Sequence, residues 1–154
     1  MAGEVEKRLA AAGVELPAAP APAGNYVPVV VTGRLAVVSG QIASRDGKVA
    51  VKGKLGADVT LEQGYEAAKI CAINILAQLK AAIGDLDRVT RCVRLAGFVN
   101  CTPDFVDQPK VINGASDLMA LAFGAAGKHA RAAIGAPSLP LGTAVEVEAL
   151  FEIS

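Results

Sequence analysis

Arg131 and Glu146 are two residues whose types could act together on a small carboxylate. An arginine guanidinium presents a planar fork of donors matched to a carboxylate. A glutamate beside it could orient a water or transfer a proton, with burial tuning its proton affinity. Both lie in "KHARAAIGAPSLPLGTAVEVEALFEIS", residues 128–154, an otherwise apolar, strand-like tail. In an extended strand Val145, Val147, Ala149 and Phe151 share one face, and Glu146, Glu148, Leu150 and Glu152 share the other. Like charges in a row repel, so the glutamates must be hydrated or paired with cations. Two readings stand: a solvated sheet surface, or the wall of a small-molecule site. His129, two residues before Arg131, is close enough along a strand to line the same cleft, although a lone histidine is more often structural.

The elements that would position these residues follow from periodicity. "VPVVVTGRLAVVSGQIAS", residues 27–44, holds two β-branched runs around a Thr32-Gly33-Arg34 turn, and Asp46-Gly47 is a hairpin signal. Leu61, Tyr65, Ala68, Ala72, Leu76, Leu79 and Ile83 recur at helical spacing. Thr60 and Gln63 form a capping box before that helix, and Gly84 can stop it. "DRVTRCVRLAGFVN" reads as a strand with Val89, Arg91, Val93 and Leu95 on one side and Thr90, Cys92, Arg94 and Ala96 on the other. A second helix follows, with Pro109 in its first turn and Val111, Ala115, Leu118, Met119 and Ala122 as its inner stripe. Strands around 131–136 and 144–153 end the chain, and the Pro137–Gly142 connection could bring them side by side. This order predicts an α+β domain, a mixed β-sheet with two helices packed on one face. Residues 1–23 read as an N-terminal extension, a short amphipathic helix then a Pro/Ala-rich lead-in, and residues 24–154 as the domain.

Composition narrows the function. Lys+Arg and Asp+Glu are both 15, so there is no basic footprint for nucleic acid or an anionic membrane. Tryptophan is absent, which argues against a base-stacking platform. No apolar run is long enough to span a bilayer, and the N-terminus does not read as a signal peptide. Cys71, Cys92 and Cys101 fit neither a disulfide framework nor a zinc site, and one histidine cannot build a multi-histidine metal centre. A reducing, cytoplasmic setting with no metal is the expectation. Cys92 and Cys101 read as small buried hydrophobes. No GxGxxG or Walker sequence is present.

Several ordered pieces carry a resemblance: "GNYVPVVVTGRLAVVSGQI", the long helix, "VINGAS", "HARAAIGAPSLP" and "VEVEALFEI". Over roughly residues 24 to 153 the chain resembles the RidA/YjgF/YER057c/UK114 family (endoribonuclease L-PSP), whose fold is chorismate-mutase-like. The resemblance implies a homotrimer with clefts between subunits and hydrolysis of reactive enamines or imines to 2-oxo acids and ammonia, without a cofactor. It implies that Arg131 holds the substrate carboxylate, that Glu146 lies near the attacking water, and that Tyr26 and Asn113 line the cleft. The "SGQ" stretch of the family corresponds to Ser39-Gly40-Gln41, where Gly40 could serve close packing and Gln41 a polar hydrogen bond. The sequence departs from active members at Arg131-Ala132-Ala133-Ile134, where they carry Ser or Cys soon after the arginine, and at Asn25, where they carry Pro. The long N-terminal extension, "INGASDLMALAFG" and "GKHARAAIG" resemble a divergent chorismate-mutase-like branch. Two other functions follow from the same resemblance: a non-catalytic binder of small carboxylate metabolites, and an endoribonuclease or translation inhibitor.

Overall fold

The computed structural model describes residues 3–154. In chain order the elements are α1 (Glu4–Ala11), β1 (Val29–Thr32), β2 (Leu35–Ile42), β3 (Ser44–Arg45), β4 (Lys48–Val49), α2 (Leu61–Ile83), β5 (Val89–Asn100), α3 (Gln108–Phe123), β6 (Ala130–Ala136) and β7 (Val145–Ile153). Five strands form one mixed sheet in the order β1-β2-β7-β5-β6, and β3-β4 is a separate hairpin. Only β5 and β6 run parallel. Helices α2 and α3 pack on one face of the sheet and on each other, which is the expected α+β arrangement.

Local chemistry explains the element ends. Asp46 and Gly47 both adopt positive φ, as a two-residue type I′ turn between β3 and β4 requires. At the start of α2, Thr60 Oγ1 accepts the Gln63 N–H at 3.1 Å and Gln63 Oε1 accepts the Thr60 N–H at 2.9 Å. Thr60→Ala removes the first of these bonds and should cost about 1 kcal/mol, which a melting experiment would read as a fall of about 3 °C in Tm. Pro109 sits in the first turn of α3, where its missing N–H removes no helical bond. Val111, Ala115, Leu118, Met119 and Ala122 are all buried, as their spacing predicts.

The N-terminal segment is fastened to the domain. Val5, Leu9 and Val14 join the core, and α1 lies against α3. The Asp87 carboxylate accepts the N–H groups of Glu4 and Val5 at 2.8 and 2.9 Å, capping the helix. The Pro/Ala-rich lead-in is held at Pro20, whose carbonyl accepts Gln78 Nε2 at 2.6 Å. Among the described residues, no helix is long and apolar enough to cross a membrane.

Two expectations are corrected. The simple alternation along β5 fails, because register shifts fall between Val89 and Arg91 and between Cys92 and Arg94. Cys92 and Leu95 are therefore buried together while Arg91 and Arg94 are exposed; each irregularity changes which residues face the core. The second correction concerns the tail. β6 and β7 are not neighbours, because β5 lies between them.

Candidate functional site

That strand order decides where Arg131 and Glu146 point. Across the sheet, Val38, Ala149, Leu95 and Arg131 form one row of paired residues. Val38, Ala149 and Leu95 are buried beneath the helices, so Arg131 belongs to the helix-covered face at the β6 edge. Ile42, Glu146, Phe98 and Ile134 form another row. Glu146 is three positions from Ala149, so its row lies on the opposite, uncovered face. One chain thus keeps the two groups on opposite sides of its own sheet.

The arginine side is built on α3. Arg131 Nη1 donates to Asn113 Oδ1 at 2.8 Å and to Ser116 Oγ at 3.2 Å, and Nη2 donates to the Pro109 carbonyl at 3.3 Å. His129 also reaches this cluster, with Nε2 2.8 Å from Ser116 Oγ and Nδ1 2.6 Å from the Gly127 carbonyl oxygen. Arg131, Asn113 and His129 are therefore brought together. Ser116 was not singled out from the sequence, although it follows Asn113 by three residues and helical spacing places both on one side of α3.

The glutamate side is built on a bulge. Between Val38 and Gln41 the β2–β7 register shifts, which turns Gln41 inward and Ile42 outward. Gln41 is buried; its Nε2 donates to the Ser39 carbonyl at 3.2 Å and its Oε1 accepts from Gln78 Nε2 at 3.4 Å. Gly40 lies under the Glu146 side chain: a Cβ there would stand 2.4 Å from Glu146 Oε1. Tyr26, 49% exposed, precedes a segment pinned beside this bulge, with Ser39 Oγ donating to the Pro28 carbonyl at 2.8 Å. Partial burial, and then the neighbouring Glu148 carboxylate, push the Glu146 pKa above that of an ordinary glutamate. Glu152 has partners, the Thr90 hydroxyl at 2.7 Å and Arg34 at 3.8 Å. Glu146 makes no ion pair among the described residues.

Gly40→Ala should displace the Glu146 carboxyl while leaving the fold intact, since the far end of a flexible side chain can give way. Any turnover that depends on Glu146 should fall about tenfold or more, with an unchanged melting profile as the control.

The cysteines do not enter either cluster as nucleophiles. Cys71, Cys92 and Cys101 are buried, and desolvation pushes the thiols of Cys71 and Cys92 upward, the latter to about 12.

Comparison with known proteins agrees with this architecture. Residues 6–153 match the family model described as "YjgF/chorismate mutase-like, putative endoribonuclease". Protein TCP17 of Trypanosoma cruzi is 48% identical over 153 residues, covering 99% of this chain and 96% of its own length. The crystal structure of Atu1372 from Agrobacterium tumefaciens, of unknown function, superposes with a TM-score of 0.92 at 48% identity, over 97% of this chain and 92% of that one. A Shewanella oneidensis protein that carries the endoribonuclease description superposes with a TM-score of 0.95 at 40% identity, over 98% of this chain and 100% of its own.

Proposed function

The chain belongs to the YjgF/chorismate mutase-like family, and from that premise we propose that it is a cofactor-independent imine hydrolase acting on small 2-imino acids in clefts between subunits. The observation that carries the reading is the division of the sheet: Arg131 lies on the helix-covered face and Glu146 on the uncovered one. A second copy of the chain must supply the complementary half if the two groups are to meet one substrate. The uncovered face favours such assembly, because Val30, Val37 and Ile134 stay 50%, 45% and 51% exposed there and Leu150 lies in the same row as Val37. A homotrimer that packs these faces together and leaves three clefts is the assembly the family resemblance implies.

In that cleft Arg131 binds the substrate carboxylate and fixes the position of C2. The enamine tautomerises to the imine, and a water attacks C2 while Glu146 takes its proton. The proton passes to nitrogen, the carbinolamine collapses, and ammonia leaves as the 2-oxo acid forms. Tyr26 of the glutamate half and Asn113 of the arginine half bound the space. Asn113 acts through its bond to Arg131.

The Shewanella relative's description raises endoribonuclease activity, and the balanced charge of this chain, 15 against 15, argues against it. The replacement of the family's Ser or Cys by Ala133 favours a second reading, a trimer that binds carboxylate metabolites without turnover. The deciding experiment is to follow ammonia and 2-oxo acid release from freshly generated 2-aminoacrylate and a panel of larger 2-imino acids. Acceleration over the spontaneous rate is expected. No acceleration with retained 2-oxo acid binding would select the binding reading.

A further inference from the structure

The contacts around Arg131 contain more order than a carboxylate anchor needs. The Gly127 carbonyl can only accept a hydrogen bond, so the 2.6 Å contact requires the proton of neutral His129 to sit on Nδ1. That carbonyl belongs to a fixed backbone: Gly127 is buried, and a Cβ there would stand 2.2 Å from the Met119 carbonyl oxygen of α3. With Nδ1 protonated, Nε2 is an acceptor and takes the Ser116 hydroxyl proton across 2.8 Å. The Ser116 oxygen therefore keeps its lone pairs for Arg131, whose Nη1 lies 3.2 Å away.

The result is a directed chain from backbone to guanidinium. Arg131 Nη1 spends both its protons on Asn113 and Ser116, and Nη2 spends one on Pro109. Of the five guanidinium donors, Nε–H and one Nη2–H have no partner among the described residues. A guanidinium left to rotate would present no constant pair of donors, and one held at its Nη1 end presents a fixed pair.

We propose that Ser116, its hydroxyl aimed by His129, is a positioning residue that locks the Arg131 guanidinium with two donors left for a carboxylate. The inference rests on the carboxylate-binding reading given above, but the locking itself can be measured without any substrate. Neither residue touches the reacting atoms. The lone histidine thus acts as an acceptor of fixed tautomer.

The test uses the intact protein with nitrogen-15 side-chain NMR and titration with 2-oxobutanoate. In the wild type, restricted rotation should give separate Nη1 and Nη2 signals for Arg131. Ser116→Ala and His129→Phe should average those signals and weaken 2-oxobutanoate binding about tenfold. Ser116→Thr, which keeps the hydroxyl, and His129→Gln, which keeps an acceptor, should restore both. Averaged signals in the wild type, or signals and affinity unchanged in Ser116→Ala, would overturn the proposal. Locked signals in a wild type that binds no 2-oxobutanoate would uphold the positioning and reject the carboxylate reading instead.

Discussion

Arg131→Ala should lower kcat/KM for a 2-imino acid between about a hundredfold and a thousandfold, the range expected when one partner of a hydrogen-bonded charge pair is removed. On the proposed reading most of the loss should fall in KM, because the carboxylate assigned to the arginine is present in ground and transition states alike. Arg131→Lys keeps the charge but not the fork, and should recover only part of the loss. The edge-strand position of Arg131 leaves the buried core beneath α2 and α3 untouched, so sedimentation should show an unchanged assembly. The same variant tests the division of the sheet. Neither Arg131→Ala nor Glu146→Gln should be active alone, yet subunits of the two variants, mixed and reassembled, should regain activity. A cleft works when it draws its arginine from one variant and its glutamate from the other, and random assembly makes about one quarter of the clefts of that kind. No regain on mixing would mean that the two groups do not meet across an interface.

Glu146→Gln carries the second large effect. Losing a positioned proton acceptor should reduce kcat about a hundredfold to ten-thousandfold, with KM nearly unchanged. The pH profile gives an independent sign. Burial and Glu148 raise the Glu146 pKa, and the proposed proton-accepting role needs the ionised form, so activity should rise with pH through a limb above the ordinary glutamate range. Glu148→Gln removes the neighbouring charge and should move that limb to lower pH. Stability runs the other way. A raised folded-state pKa favours the protonated form, so its stabilising contribution is complete below the unfolded glutamate pKa and is lost as pH climbs through the folded one. The melting temperature of Glu146→Gln relative to wild type should therefore increase as pH climbs from the ordinary glutamate range through the raised pKa. A difference independent of pH would show that Glu146 does not titrate abnormally in the fold.

Much of the architecture was legible before any coordinates. The capping box at Thr60 and Gln63, the inner stripe of α3 and the Asp46-Gly47 hairpin are local features, each set by backbone periodicity or by hydrogen bonds within a few residues. The alternation of β7 was local too: Val145, Val147, Ala149 and Phe151 are buried, and Glu146 and its row face outward. The half-sites were readable only in outline. Arg131 and Glu146 stand out by residue type and Tyr26 and Asn113 by motif order, whereas Ser116 does not, because its contact is with a strand residue 15 positions away.

Which face each residue occupies was a tertiary decision. Alternation says that Arg131 and Ala133 share a side, but not whether that side is covered by helices. The covering was settled when β6 paired parallel with β5 instead of lying beside β7, a choice made by packing between segments far apart in sequence. The β2 bulge and the two irregularities in β5 shifted the alternation again, since one extra residue turns every later side chain to the opposite face. Periodicity is a property of one backbone stretch and can be read from it. Strand order, register and bulges depend on which distant surfaces bury one another, and they separated Arg131 from Glu146.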